Sequence, residues 1–354
     1  MIEIRGDELE GGGQILRTTV ALSSILNVPV RIFNIRARRP NPGLQAQHVM
    51  GVKALAQLTS AEVTGLEKGS KEITYLPKRF NPGKFNFNIG TAGSTMLVFQ
   101  TMLPFMVFSQ PLQIQITGGT HVAWSPNFHY VKNVFIPLLE RMGCKIESFE
   151  LVRYGWYPKG GGKVNISTTP VDVLKAIKLT SRGKLIRIGG ISCASNLPEH
   201  VTDRQANSAE EALKNADYKA TIARENAQAL SIGSALTLWA NYENGIIGSS
   251  ALGALGKKAE KVGEEAATKL LKGIKSNACI DEHLADQLLI YMVLADGDST
   301  ITASELTTHT KTNIWVIEHF IDRKFIIEER GDRTVKISIK GIGVKKGDLL
   351  RGIS

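Results

Sequence analysis

The sequence predicts an α/β (α+β) protein in which a large domain of three related units carries a small inserted α/β domain. Three segments share one order of elements: a Gly- or Asp-containing turn, an apolar helix, a loop, an amphipathic helix and a β-rich stretch. A chance likeness between amphipathic helices is the alternative, but the shared order favours a true internal repeat. A segment of different pattern separates the second and third copies.

Hydrophobic periodicity supports the repeat. Apolar residues recur at helical spacing in the first helix of each copy, which reads "GGGQILRTTVALSSIL", "GSTMLVFQTMLPFM" and "LADQLLIYMVLA". The second helices run directly into strands, in "QHVMGVKALAQLTSAEVTGL", "HYVKNVFIPLLERMGCKIESFEL" and "NIWVIEHFIDRKFIIEER". Apolar and polar residues alternate in the strands that follow, as in "TVKISIK". Three units that pack helices against sheets are the expected result.

The intervening segment predicts a domain of its own. Strand patterns lie at "KLIRIGGIS", "KATIARE" and "ALTLWANY", together with two helices rich in Lys and Glu at i,i+4 spacing. Such pairs are typical of a solvated helix face. We therefore predict a small inserted domain at residues 184–277, within a large domain formed by residues 1–183 and 278–354.

Composition indicates the class of protein. Of the 354 residues, 43% are hydrophobic and 21% are charged, and no apolar run is long enough to span a bilayer. The N-terminus does not have the pattern of a signal peptide, and Cys144, Cys193 and Cys279 show no metal-ligand spacing. These features predict a cytoplasmic protein with buried or free thiols and no membrane partner. The net charge of +10 favours a polyanionic partner such as nucleic acid or nucleotide phosphate, although excess lysine also merely solvates surfaces.

The motif "ELEGGGQILR" suggests an anion site. Three glycines at a helix start leave backbone N–H groups free, and the helix dipole favours negative charge there. Glu10 precedes the glycines and could hold a divalent metal, whereas Arg17 follows one turn into the helix. A tight strand-to-helix turn without any ligand is the alternative.

A second basic motif, "IRARRPNPGLQAQH", places Arg36, Arg38 and Arg39 in a loop punctuated by Pro and Gly. Gln47 and His48 follow at the next helix start. Guanidinium groups on a loop suit bidentate phosphate recognition, and a solvated charge run is the competing interpretation.

Two further motifs suggest a nucleobase pocket. In "TAGSTMLVFQ", small residues open a helix, and Gln100 needs a hydrogen-bond partner in a largely apolar environment. The loop "TGGTHVAWSPNFHY" contains His121, Trp124, Pro126 and His129, whose faces suit stacking on a base. Core packing is the alternative explanation for both.

The C-terminal part contributes "DEHLADQLLIY" and "LTTHTKTNIWVIEHF". Asp286 either caps a helix or hydrogen-bonds a ribose, a base or a catalytic histidine. His309 precedes a predicted helix whose positive end disfavours an imidazolium and welcomes phosphate. His309 is therefore either a nucleophile near a phosphate or an ordinary surface histidine.

Taken in order, "EGGGQILR", "IRARRPNPGLQAQH", "GTAGS", "HLADQL" and the H-x-x-TNI pattern of "HTKTNI" resemble the RNA 3′-terminal phosphate cyclases. The resemblance runs from residue 2 to about residue 340, with the insertion included. It implies three βαβαββ-type repeats and a small inserted α/β domain. It also implies a reaction in which ATP converts an RNA 3′-phosphate into a 2′,3′-cyclic phosphodiester, with release of AMP and diphosphate. His309 matches the histidine that becomes adenylylated.

The resemblance also implies roles for other residues. Glu10 matches an acidic residue at the site of a divalent metal, Mg²⁺ or Mn²⁺. The residues that match the adenylate pocket are Gln100, Pro126, His283, Leu284, Ala285, Asp286 and Gln287. Those that match positions near the phosphates and the RNA end are Arg17, Arg36, Arg39 and Gln47. His283 stands where some members have a tyrosine that stacks on adenine. An imidazole can also stack, but it offers a smaller area.

Two other functions remain open from the sequence. A non-catalytic relative of the cyclases could act as an RNA-binding module in ribosomal RNA processing, but such relatives are expected to lack the motif histidine. Enolpyruvyl transferases, which resemble the cyclases in repeat architecture, would use the Arg cluster for small anions and need no adenylate pocket. The expected partners are ATP and an RNA with a 3′-terminal phosphate, and a homo-oligomer is left open.

Overall fold

The structure, a computed structural model, describes residues 1–331 and 333–350. The elements of its first unit are β1 (Ile2–Arg5), α1 (Gly13–Leu26), β2 (Val30–Phe33), α2 (Ala46–Thr59), β3 (Glu62–Thr64) and β4 (Ile73–Leu76). The sheet has the order β1-β2-β4-β3, in which β1 and β2 are parallel and β4 is antiparallel to both of its neighbours. This is a βαβαββ unit.

The second unit repeats this topology. Its elements are β5 (Lys84–Asn88), α3 (Thr95–Met106), β6 (Leu112–Gly118), α4 (Phe128–Tyr130), a π-helical turn (Val131–Phe135), α5 (Ile136–Arg141), β7 (Lys145–Arg153) and β8 (Gly162–Thr169). The strand order is β5-β6-β8-β7, again with one parallel pair followed by an antiparallel hairpin. The π-helical turn joins α4 and α5 into one continuous helical run.

A short strand and a separate small sheet come next. The elements are β9 (Lys178–Leu179), β10 (Leu185–Ser195), α6 (His200–Lys214), β11 (Ala220–Ala227), β12 (Gly233–Tyr242), β13 (Gly245–Leu252) and α7 (Ala259–Lys275). Strands β10 to β13 form a sheet of order β11-β10-β12-β13. The helices α6 and α7 pack on it around a core that includes Leu213, Leu236, Leu238 and Leu270. On α7, Glu265 and Lys269 form the predicted type of i,i+4 ion pair.

The third unit is completed after this insertion. Its remaining elements are α8 (Glu282–Leu294), β14 (Asp298–Ala303), α9 (Thr308–Glu318), β15 (Ile326–Glu329) and β16 (Val335–Lys340), and a short helix, α10 (Lys346–Leu350), follows. Strand β9 pairs in parallel with β14, and β16 is antiparallel to both β14 and β15. The order β9-β14-β16-β15 therefore matches the other two units.

The predicted α+β class is confirmed, with two differences in detail. The small sheet interrupts the third unit after β9, whereas we expected it between the second and third copies. A strand of only two residues carries no periodicity, so β9 left no signal in the sequence. Strand β13 was also missed, because "GIIGSSAL" mixes glycine and serine with its apolar residues. The domain bounds 184–277 stay a prediction.

The helices of the three units pack against one another and bring their first turns together. Helix α1 contacts α2, α3 and α9, and α8 contacts α9. Alternating burial along β4 and β8 shows that these strands turn one side towards the core. The three cysteines are buried and free, as expected. None of the helices in the described part of the chain combines the length and apolarity needed to cross a membrane.

Candidate active site

A cleft of about 1500 Å³ lies between the repeat units and the inserted segment. Residues from the N-terminal ends of α1, α2, α3, α4, α8 and α9 line it, and β13 and α7 form part of the opposite wall. A helix N-terminus presents free N–H groups and a partial positive charge. The dipoles of these ends favour an anionic ligand, although side chains already cap α3, α4, α8 and α9.

The glycine motif forms the most open of these helix ends. Gly12 is the N-cap of α1 and, having no side chain, supplies no side-chain cap bond. A Cβ on Gly13 would collide with the imidazole Nε2 of His48, so only glycine allows this approach. His48 itself is buried, and its Nδ1 accepts a hydrogen bond from the Gln45 backbone N–H at 3.0 Å.

Most residues predicted for the site line this cleft. They are Glu10, Arg17, Arg36, Arg39, Gln47, Gln100, Pro126, His283, Asp286, Gln287 and His309. Leu284 and Ala285 differ, because both side chains are fully buried in the hydrophobic core. On α8, His283 and Gln287 are four residues apart and share the cleft face, while the two residues after His283 turn inwards.

His309 lies in the first turn of α9, directly inside the helix that we expected it to precede. Thr307 is the N-cap, and its hydroxyl accepts from Thr310 N–H at 3.1 Å. The His309 Nδ1 lies 2.6 Å from Gln14 Oε1, and Gln14 Nε2 donates to Asp286 Oδ2 at 3.3 Å. Because an ionised carboxylate only accepts hydrogen bonds, the Gln14 amide directs its NH₂ to Asp286 and its oxygen to His309. Nδ1 therefore carries the proton, and Nε2 keeps a free lone pair.

This imidazole is neutral and accessible. The His309 side chain is 53% exposed to the cleft. Burial lowers the pKa of His309 below its ordinary value near 6.5, and the charges of Arg17, His283 and Arg39 lower it further. At neutral pH the ring presents Nε2 as an unprotonated nucleophile.

Asp286 holds the Gln14 amide that contacts His309. Asp281, and not Asp286, caps α8 by accepting from the backbone N–H groups of His283 and Leu284. Burial raises the pKa of Asp286 to about 7, against the opposing charges of His283 and Arg17. The carboxylate that orients Gln14 therefore titrates near neutral pH.

Glu10 faces both His309 and the guanidinium of Arg39. Its Oε1 forms an ion pair with the Arg39 guanidinium and lies 3.9 Å from His309 Nε2. Its Oε2 is buried and has no hydrogen-bond partner among residues 1–331 and 333–350. An unpartnered carboxylate oxygen beside a cleft suits Mg²⁺ or Mn²⁺, since Mg²⁺ sites commonly combine one or two carboxylates with phosphate oxygens.

Arg17 is a half-buried cation on the floor of the cleft. Burial lowers the pKa of its guanidinium to about 10, and the charge of Asp286 opposes that fall. Within the described part of the chain, the guanidinium makes neither a hydrogen bond nor a close ion pair. Its donors are thus available to an anionic ligand.

Arg36 and Gln47 are partly engaged in holding loops. Arg36 Nη1 donates to the carbonyl oxygens of Asn41 at 2.6 Å and Gly43 at 2.9 Å. Gln47 Oε1 accepts from the Ser94 backbone N–H at 2.8 Å, at the start of α3. Both side chains reach the cleft, so their assignment to the phosphates and the RNA end stays a prediction.

Gln100 and Gln287 link α3 to α8 across the cleft. Gln100 Nε2 donates to Gln287 Oε1 at 2.7 Å, and Gln287 Nε2 donates to the His283 carbonyl at 2.8 Å. The bond to Gln287 is the hydrogen bond that we predicted Gln100 would need in its apolar surroundings. The side-chain oxygen of Gln100, Oε1, has no partner in the described residues and is available to a donor such as an adenine amino group.

The loop after β6 separates into two parts. Trp124 is 99% exposed and lines the cleft together with Pro126, as expected for a surface that stacks on a base. In contrast, His121 and His129 are buried beside Tyr154 and do not face the cleft. The stacking role predicted for this loop is therefore confined to its exposed portion.

Two residues whose side chains hold the site together, Gln14 and Asn313, were not recognised from the sequence. Gln14 stands inside the quoted glycine motif, but nothing local shows that it bridges His309 and Asp286. Asn313 donates to the Asp286 carbonyl at 2.7 Å and accepts from Thr18 Oγ1 at 2.6 Å, which ties α9 to both α8 and α1. The H-x-x-TNI pattern contains Asn313, and that pattern was the only signal available.

Lysines of the inserted segment also line the cleft, although α7, which carries two of them, was interpreted as a helix with a solvated face. They are Lys257, Lys269 and Lys272. Lys272 lies 3.1 Å from Glu305 and 3.8 Å from Glu282, so it bridges α7 to the third unit. Lys257 and Lys269 both pair with Glu265, so the inserted segment contributes charges of both signs to the same cavity.

A family profile described as "RNA 3′-terminal phosphate cyclase" matches residues 8–327. The chain belongs to this family. A Pyrobaculum aerophilum protein named RNA 3′-terminal phosphate cyclase is 47% identical over 348 residues, covering 98% of this chain and 99% of its own length. Proteins of the same name from Ignicoccus hospitalis (47% identical, covering 91% of this chain and 93% of its own length) and Pyrococcus abyssi (43%, with 96% and 98%) are also similar. Membership of the cyclase family confirms the resemblance carried by the motifs.

Proposed function

We propose that this chain uses ATP to convert an RNA 3′-terminal phosphate into a 2′,3′-cyclic phosphodiester, with His309 as the adenylylated nucleophile. The observation that carries the proposal is the free Nε2 of His309: Nδ1 holds the ring proton in its bond to Gln14, and Nε2 accepts no hydrogen bond from the described residues. Six helix ends around the cleft suit a triphosphate and an RNA end, and family membership supports the reaction class.

In the first step, His309 Nε2 attacks the α-phosphorus of ATP. An N–P bond forms, the bond from the α-phosphorus to the bridging oxygen breaks, and diphosphate leaves with those electrons. The imidazole becomes positively charged, and the Nδ1–H bond to Gln14 shares that charge with a dipole oriented by Asp286. Arg17 and the α1 N-terminus lie where they can stabilise the oxygens of the triphosphate.

In the second step, an oxygen of the RNA 3′-phosphate attacks the adenylyl phosphorus, and the P–N bond breaks to restore the neutral ring. The RNA then ends in a 3′-linked diphosphate bridge to adenosine. In the third step, the adjacent 2′-hydroxyl attacks the RNA phosphorus and loses its proton, while AMP leaves. The covalent intermediate thereby activates a phosphomonoester that is otherwise inert.

Glu10 is the residue that would hold a divalent cation, and the cation would neutralise charge on the triphosphate. Its unpartnered Oε2 fits that task. The carboxylate also pairs with Arg39, so the two residues together set the charge beside His309 Nε2. Gln100, Gln287 and Pro126 would accommodate the adenine at the α3–α8 side of the cleft.

Intact-mass analysis tests the proposal directly. The chain is incubated with ATP and either Mg²⁺ or Mn²⁺, and then with an RNA that ends in a 3′-phosphate. We expect a mass gain of one AMP, its loss on addition of the RNA, and an RNA with a 2′,3′-cyclic end. If neither metal yields an adenylylated chain or a cyclic end, the catalytic proposal fails and a purely RNA-binding role takes its place.

Replacing Arg17 with methionine is expected to weaken ATP binding by about 10- to 100-fold, because a charge-assisted hydrogen bond contributes ~1.5–3 kcal/mol. Titration with an ATP analogue that has a methylene bridge between the α- and β-phosphates measures this without chemistry. The matched control is Arg31→Met, since Arg31 is exposed and paired with Glu3 and Glu72 on the first sheet. Equal affinity of both variants for the analogue would show that Arg17 does not bind the phosphates.

Replacing Glu10 with glutamine is expected to raise the Mn²⁺ concentration needed to saturate the complex with this analogue by roughly 10-fold or more, because a neutral amide is a weaker ligand than a carboxylate. Mn²⁺ electron paramagnetic resonance reports the bound fraction independently of activity. Glu8→Gln, two residues earlier in the same turn, serves as the control. An unchanged Mn²⁺ titration for Glu10→Gln would exclude Glu10 as the ligand.

A further inference from the structure

A second cluster of chemically capable side chains lies where the second unit meets the inserted segment. His121 follows β6, His129 is in α4 and Cys193 is in β10, and one donor atom of each lies within 4.8 Å of the others. Their exposed fractions are 1%, 3% and 0%, respectively. The cysteine spacing gave no hint of this cluster, since the three residues come from separate elements.

The hydrogen bonds of His129 determine its tautomer. Its Nε2 lies 3.0 Å from the Tyr154 hydroxyl, and that hydroxyl donates its single proton to Glu225. The Tyr154 oxygen therefore accepts from His129 Nε2–H, and His129 Nδ1 holds the lone pair. This Nδ1 is buried and has no hydrogen-bond partner in the part of the chain described.

His121 also has one ring nitrogen on a polar partner. Its Nδ1 lies 2.9 Å from Thr120 Oγ1, a hydroxyl that accepts from the Gly155 backbone N–H at 2.9 Å and can either accept from Nδ1 or donate to it. Its Nε2 is buried and, among the described residues, unpartnered. When Nδ1–H donates to Thr120, Nε2 becomes a second lone pair inside the protein. Metal-binding histidines show this pattern, with one ring nitrogen on a polar partner and the other on the metal.

Electrostatics agree with this geometry. Burial, together with the neighbouring His129, lowers the pKa of His121 well below its ordinary value. Burial also lowers the pKa of His129 to about 4, against the opposing charge of Glu225, so both rings are neutral at pH 7. Burial raises the pKa of the Cys193 thiol, and a bound cation is what would favour its thiolate there.

We propose that His121 Nε2, His129 Nδ1 and Cys193 Sγ bind one Zn²⁺ ion, in a site separate from the cleft. Two imidazoles and a thiolate are borderline-soft donors, which suit Zn²⁺ and not the oxygen-seeking Mg²⁺. Donors on a tetrahedral zinc ion lie about 3.4–3.6 Å apart, so the side chains must rotate inwards from separations of up to 4.8 Å, and Cys193 Sγ must give up its hydrogen bond to the Ala235 carbonyl oxygen. The Cys193 thiol releases its proton to solvent as the S–Zn bond forms.

This zinc ion would brace one wall of the cleft. Residues 122–127, which line the cleft and include Trp124 and Pro126, lie between two of the zinc ligands in sequence. The third ligand belongs to β10 of the inserted segment. A zinc ion at this point ties the loop to the inserted sheet and restricts its motion.

The test uses the full chain with Zn²⁺ and with Co²⁺ as a spectroscopic substitute. We expect about one zinc per chain by elemental analysis after dialysis, and a thiolate-to-cobalt charge-transfer band in the near ultraviolet. Cys193→Ser is expected to lose the band and to bind Zn²⁺ at least about 100-fold more weakly. The matched control is Cys279→Ser, which removes another buried free thiol and should keep both signals.

Measurements on the wild type keep the proposal falsifiable even if Cys193→Ser folds poorly. A wild-type chain that binds no zinc, or whose cobalt complex has no thiolate band, overturns it. Zinc binding of equal affinity in the Cys193→Ser variant overturns it as well, because the ion would then lie elsewhere. His309→Ala should retain zinc, because the zinc site is separate from the cleft. Loss of the proposed cyclase reaction in this variant is therefore distinguishable from loss of zinc binding.

Discussion

A His309→Asn variant is expected to gain no AMP on incubation with ATP and a divalent metal, and to form no cyclic RNA end. Loss of the nucleophile removes the covalent route altogether, so the rate should fall by about 10⁴-fold or more. Binding of the methylene-bridged ATP analogue should change little, because the ring is half-exposed and, within residues 1–331 and 333–350, its side chain makes a single hydrogen bond, to Gln14. Intact mass measures the first result, and analysis of the RNA end measures the second.

The control lies on the same helical run. His319 follows α9, where its Nδ1 contacts the Trp315 carbonyl oxygen at 2.7 Å on an exposed surface. His319→Asn should be adenylylated at the wild-type rate. Retention of the AMP adduct in His309→Asn would show that another residue is the nucleophile, and the proposed mechanism would then be wrong.

The second large effect is expected from Gln14→Met, which keeps the length of the side chain and removes both of its hydrogen bonds. Without Gln14, the His309 ring loses its fixed tautomer and orientation, and a misplacement of this kind costs roughly 100-fold in rate. Rapid-quench measurement of adenylylation should show this loss at saturating ATP, with affinity for the analogue nearly unchanged. A rate within a few-fold of wild type would contradict a positioning role for Gln14.

The pH dependence of the adenylylation rate distinguishes a positioning role for Gln14 and Asp286 from a general loss of structure. As pH rises through about 7, Asp286 loses its proton and becomes the carboxylate that accepts from Gln14, so the wild-type adenylylation rate should increase in that range. His309 itself is already neutral there, since burial lowers its pKa below 6.5. In Asp286→Asn this limb should move to more acidic pH, because the carboxyl that titrates near 7 has been removed and His309 titrates below 6.5. A limb that stays near 7 in Asp286→Asn would assign it to another group.

The sequence predicted the architecture well because repetition leaves a signal that single elements do not. Three copies of an apolar helix, an amphipathic helix and an alternating strand predicted the three units, and each copy strengthened the interpretation of the others. The two failures in the fold, β9 and β13, are elements with too few residues or too little side-chain contrast to show a period.

For the site, most of the residues that the local motifs predicted do line the cleft, but the motifs did not predict the side-chain directions. Leu284 and Ala285 stand in the same motif as Asp286, yet helical geometry turns them into the core. Arg36 lines the cleft as predicted for a phosphate-binding residue, but the motif did not show that its guanidinium also holds two carbonyl oxygens of its own loop. Residue type indicates what a side chain can bind, and packing decides which partner it reaches.

Sequence pattern alone thus predicted the class of fold and the family resemblance, and it named the inserted segment and His309 as the candidate nucleophile. Only the tertiary structure showed which nitrogen of His309 is free, because that depends on Gln14 and Asp286, from α1 and α8, meeting α9 in space. The same holds for the cluster of His121, His129 and Cys193. Hydrogen-bond direction and burial arise from contacts between residues distant in the chain, and no local pattern encodes them.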